Sequence, residues 1–71
     1  MNRINPEKLT LSKWTATRPQ NREKHFVVIG CQRDEEDNIT TVEIEAVLTR
    51  RSDILPWQDL QDSDKWRMGW N

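Results

Sequence analysis

The alternation of apolar and polar positions is sharpest between His25 and Arg51. The run His25 to Arg33 is apolar at Phe26, Val27, Val28, Ile29 and Cys31, and Asp34 to Asn38 is wholly polar. From Ile39 onward, Val42, Ile44, Ala46 and Leu48 point one way, and Glu43 and Glu45 the other. Two β-rich runs around a short polar connection predict an antiparallel hairpin. With Glu36 and Asp37 at its tip, Cys31 faces Val42, Ile29 faces Ile44 and Val27 faces Ala46. Those three apolar pairs set a register. Phe26 and Val28 then share the opposite face with Val47, and that face also needs cover. Gly30 inside the first strand marks a bulge or the close approach of another group.

The flanks carry weaker patterns. Asn5-Pro6-Glu7 reads as a helix entry, with a capping side chain, a proline suited to the first turn and an acid at the positive end of the dipole. Ile4 and Leu9 stand at staple positions around it. Leu11 to Thr17 is a candidate first strand with Trp14 and Ala16 on one side, and Arg18 to Lys24, which holds a proline and no hydrophobe, reads as a loop. Ser52 to Leu55 suits a short edge strand, because Leu55 precedes Pro56 and is biased to extended backbone. Trp57 to Leu60 suits one helical turn, and Lys65 to Met68 a second, capped from Asp62-Ser63-Asp64. The expected fold is mostly β: a small antiparallel meander of three to four strands, or its half-open barrel variant, with short helical turns at the N- and C-terminal ends. The segment Trp57 to Trp70 has no strand partner in this pattern. It is expected to fold back over the face carrying Phe26, Val28 and Val47, with Trp57 and Trp66 inside.

Length and composition sharpen this picture. Seventy-one residues make a single small domain, here 1–71 with residues 1–8 as its fraying edge. Only 34% of the residues are hydrophobic, yet four are Trp, which enclose a small core efficiently because each covers a large area. One cysteine excludes an internal disulfide. The sequence offers neither a bilayer-spanning apolar run nor the apolar core of a signal peptide, so the expectation is a cytoplasmic protein with no membrane partner. The net charge of −1 hides an asymmetry: residues 1–33 carry +5 and residues 34–71 carry −6. The plain reading is that the halves attract each other; the other is that the basic half meets an anionic partner.

Candidate chemistry is sparse. Cys31 and His25 are six residues apart on one strand, hence about 20 Å apart, too far for a nucleophile and its base or for joint zinc ligation. The acidic hairpin tip lacks the spacing and the glycine of a calcium loop, and the two glycines, Gly30 and Gly69, make no phosphate-binding loop. The expectation is no catalysis, no metal and no cofactor. Binding remains, and the surplus tryptophans nominate Arg50, Arg51, Lys65, Trp66, Arg67 and Trp70 as a candidate surface. The first reading is a non-enzymatic module that binds a protein partner through its Trp-rich C-terminal surface. The second is single-stranded nucleic-acid binding through the basic half and an exposed Trp, which an acidic pI of about 5.7 disfavours.

The words Ser12-Lys13-Trp14-Thr15-Ala16, Lys24-His25-Phe26, Glu45-Ala46-Val47-Leu48-Thr49, Leu55-Pro56-Trp57 and Asp62-Ser63-Asp64-Lys65-Trp66-Arg67-Met68-Gly69-Trp70 together resemble a family of small tryptophan-rich bacterial proteins. The resemblance runs from about Leu9 to Trp70. It implies no activity and carries no functional residue over to any position here.

Overall fold

A computed structural model describes all 71 residues. Five strands form one antiparallel sheet: β1 (Lys13–Gln20), β2 (Glu23–Arg33), β3 (Ile39–Ala46), β4 (Ser52–Pro56) and β5 (Trp66–Met68). Their spatial order is β4-β3-β2-β1-β5, and the sheet does not close into a barrel. The first four strands form the expected meander. The fifth comes from the segment expected to make a second helical turn, and it adds a strand beside β1. Short 3₁₀ helices, Pro6–Lys8 and Trp57–Gln61, are the only helical elements. The first is capped as its sequence implies, with Asn5 Oδ1 accepting from the Glu7 N–H at 3.1 Å. No helix is long and apolar enough to cross a membrane.

A bulge decides which side chains make the core. Cys31 pairs with Val42 as the alternation predicts, but Val28 rather than Ile29 pairs with Ile44, and Phe26 rather than Val27 with Ala46. Ile29 is the extra residue between Val28 and Gly30. A single inserted residue reverses every side chain beyond it, because the strand period is two. Phe26 and Val28 therefore join Val42, Ile44 and Ala46 on one face, and all five are buried. Leu9, Trp14 and Leu60 complete the cluster. Ile29 is left 39% exposed. The outer face thereby loses its large aromatic and a valine, and with them its need for cover.

The lid closes over Phe26 and Val28 as expected, and these now belong to the core face. Leu60 of the second 3₁₀ helix is fully buried there, and Trp57 and Trp66 are half-buried against the cluster. Val47, expected beneath this lid, stays 41% exposed on the other side. Asn2 ties the start of the chain to the same region: its N–H donates to Gln61 O at 2.9 Å, and its Nδ2 donates to Leu60 O at 2.9 Å and Trp66 O at 2.8 Å.

The stretch Arg18–Lys24, expected as a loop, is mostly strand. Only Asn21 and Arg22 turn, with φ of 55° and 62°, the doubly positive geometry of a two-residue hairpin. Asn21 suits the first position; Arg22 in place of the usual glycine hides the signal. Pro19 is tolerated because β5 pairs β1 only from Trp14 to Ala16, leaving the rest of β1 a sheet edge.

Candidate functional site

The broad core face is incompletely covered. The 3₁₀ helix packs over β3 and β4, and two adjoining clefts open beside it. One, of about 520 Å³, lies between the end of β1 and the Asp62–Lys65 turn, lined by Arg18, Gln20, Asp64, Lys65 and Trp66. The other, of about 200 Å³, continues across the sheet between Trp66 and Leu55, with Phe26 and Ile44 as its floor and Arg51 at its far end. Trp66, Ala16, Arg18 and Gln20 line both, so together they form one groove with Trp66 at its middle.

Trp66 is positioned by backbone bonds on both sides. Asp62 opens a tight turn: its Oδ1 accepts from the Asp64 N–H at 2.9 Å, and its carbonyl accepts from the N–H groups of Lys65 and Trp66 at 3.0 and 2.9 Å. The turn delivers the chain to β1, where Thr17 N–H donates to Lys65 O at 3.0 Å and Trp66 pairs with Ala16. The Trp66 ring then meets Phe26 edge-on, 5.1 Å between centroids at 84°. That T-shaped geometry suits two aromatic quadrupoles and leaves part of the indole open to the groove.

At the other end, Arg51 is locked to Glu23. Its Nη2 lies 2.6 Å from Oε1 and its Nε 3.0 Å from Oε2, while Thr49 Oγ1 donates to Oε2 at 2.5 Å. Asp53 takes the second face of the guanidinium. Glu23 is only 4% exposed, so this fork supplies the partners that a buried carboxylate requires. The Arg51 hydrogen bond, helped by Thr49, holds the Glu23 carboxyl below its ordinary value, and the bonds to Glu23 and Asp53 raise the Arg51 guanidinium. Arg18, by contrast, is exposed and takes part in none of the four ion pairs, all of which are made by Arg33 or Arg51.

Of the surface nominated from the sequence, the groove gathers Arg51, Lys65 and Trp66. Arg50 sits at the β3–β4 turn with φ of 63°, its N–H donating to Ala46 O at 2.8 Å. Arg67 and Trp70 belong to the opposite face. There Gly69, at φ +81°, bends the tail back over β1 and β2. Thr15 Oγ1 donates to Gly69 O at 2.7 Å and accepts from Asn71 N–H at 3.1 Å, and Thr15 is buried beneath. Trp70 Nε1 donates to Phe26 O at 2.9 Å, its ring stacks on His25 at 5.7 Å, and Lys13 Nζ lies 4.7 Å from its centroid. The sequence reading missed Arg18, Gln20 and Leu55 as groove residues; the first two lay in the segment read as loop.

Other candidate groups are accounted for locally. Cys31 packs against the core, and His25 lies on the other face beneath Trp70. Asp34 at the hairpin tip accepts from the N–H groups of Glu36 and Asn38, both at 2.9 Å, and these backbone bonds lower its pKa. No group of three or more His, Cys, Asp or Glu is gathered closely enough to hold a metal ion.

A single open antiparallel sheet, partly covered on one face by a 3₁₀ lid and carrying four tryptophans, defines a small tryptophan-rich β protein. The chain belongs to the family described as tryptophan-rich protein (DUF2389), whose family model matches residues 12–71. No curated protein and no solved structure matches it.

Proposed function

We propose that this is a non-enzymatic, cytoplasmic binding module that seats a segment of a partner protein in the groove around Trp66. The observation that carries the reading is the half-buried Trp66 indole at the centre of both clefts, flanked by Arg18 on one side and Leu55 on the other. An aromatic anchor on a rigid strand beside an uncommitted guanidinium is the composition of an interaction hot spot. Past Thr17, whose N–H is given to Lys65 O, β1 has no strand partner on its outer edge, and an extended segment has room to run alongside. Nucleic acid is the weaker reading. Lys13 lies against Trp70 and Arg67 shares that sheet face, but so do Glu43 and Glu45, which oppose a phosphate backbone.

The test is affinity capture with the wild-type chain, Arg18→Glu and a remote control, Lys8→Glu, followed by titration of the captured partner. The reading expects Arg18→Glu to weaken binding by about tenfold or more, with the control unchanged and the melting temperature of both preserved. A partner captured equally by all three sinks it. So does an oligonucleotide that changes Trp fluorescence at low salt and competes with that partner.

A further inference from the structure

The outer face of the sheet carries an ordered charge pattern that the groove does not explain. Cross-strand partners share a face, so the row Glu45–Val27–Lys13 runs across β3, β2 and β1 on the side away from the core. The next row runs His25–Thr15–Arg67, with Val47 continuing it through a 2.9 Å bond from its N–H to His25 O. Glu43 and Glu45 stand on the β3 side, and Lys13 and Arg67 on the β1–β5 side. None of these four takes part in an ion pair. Between them lies an apolar strip: Val27 half-buried, Val47 41% exposed and Trp70 44% exposed.

We infer that this face is a homodimer interface. β2 is the middle strand of five, with two strands on either side. A two-fold axis running parallel to β2 in the plane of contact lays each β3 over the second copy's β1 and keeps each row over itself. Val27 then meets the second copy's Val27. Glu45 meets the second copy's Lys13, and the pairing occurs twice because the contact is isologous. Trp70, braced by His25 and Lys13, comes over the second copy's Val47. The acidic side of one sheet face covers the basic side of the other, so the charges are complementary between copies. The molecule measures 37 × 25 × 16 Å, so its broad face is wide enough for the roughly 800 Å² per partner of a stable interface. The groove around Trp66 faces the other way and remains open in both copies.

Sedimentation equilibrium on the full chain, up to about 0.5 mM, tests this. The wild type is expected at twice its 8.5 kDa mass. Glu45→Lys alone and Lys13→Glu alone each place like charges face to face and weaken association at least about tenfold. The double variant E45K/K13E exchanges the pair and restores association to within about threefold of wild type, a rescue that a fold defect in either single variant could not produce. Arg18→Glu, on the groove side, leaves association unchanged. A monomeric wild type over the whole range overturns the inference, as does a double variant no better than the singles. Dissociation by Arg18→Glu instead would also overturn it, by moving the contact to the groove.

Discussion

The two faces of the sheet are made from nearly adjacent residues and have opposite fates. Phe26 and Val28 are buried; Val27 between them is half-buried and Ile29 beside them is exposed. The first face gathers eight buried apolar side chains, Trp14 and Leu60 among them. The second carries glutamates on one half and cations on the other, with one tryptophan pinned across them. Hydropathy does not separate these residues, since Val27 and Ile29 are as apolar as Val28. The backbone separates them: one extra residue at Ile29 turns the strand so that the two residues able to pack on β3's apolar row do so. In a sheet this small a bulge assigns the core.

The comparison breaks most completely if a charge is placed on the core face. Val28→Asp puts an unpaired carboxylate at a fully buried position opposite Ile44. A cooperative thermal melt is expected to disappear; a Val28→Asp variant melting near wild type would show that this face is not the core.

Next in size is Trp14→Ala. Trp14 is 1% exposed at the centre of the core face, and its Nε1 donates to Ser12 Oγ at 2.9 Å. Its loss should cost about 3–5 kcal/mol, a large share of the total stability of a chain of this size, about 4–10 kcal/mol. Urea titration measures it, and a cost near 1 kcal/mol would mean that the core repacks around the gap.

The Glu23–Arg51 clamp sharpens the contrast through pH. The folded pKa of Glu23 lies below its ordinary 4.5, so its contribution is complete above that value and is lost as pH falls through the lower folded value. Glu7 and Asp34 are depressed too, by Arg33 and by backbone N–H groups respectively, and act with the same sign. Glu23→Gln should melt well below wild type at pH 7, and the gap should shrink below about pH 4 as the wild-type carboxyl protonates. A gap that stays constant between pH 7 and about pH 3 contradicts the linkage.

Trp70→Ala should have the smallest effect on the isolated fold, about 1 kcal/mol, because the ring is 44% exposed and rests on a face with no core beneath it. Equal losses for Trp14→Ala and Trp70→Ala in urea would erase the distinction between the faces.

Several features were legible in the residues alone. The alternation of Val42, Ile44 and Ala46, the polar tip, the capped turn at Asn5 and the edge strand before Pro56 are local: neighbours along the chain suffice to specify them. They led to an antiparallel sheet with short turns at its ends and to the Trp57–Trp66 segment as a lid. Tertiary structure alone decided the rest. The side of the sheet that Phe26 joins depends on where β2 slips against β3, since both of its faces are apolar and periodicity cannot choose between them. Trp66–Met68 becomes a strand because β1 has a free edge to pair with, a partner some fifty residues away by sequence. Arg51, nominated for binding, is bound to Glu23 instead, while Arg18 at the end of an unrecognised strand joins Lys65 as a cation without an ion pair beside Trp66. Local chemistry determines what a segment can form; the pairing of distant segments determines which of its side chains water still reaches.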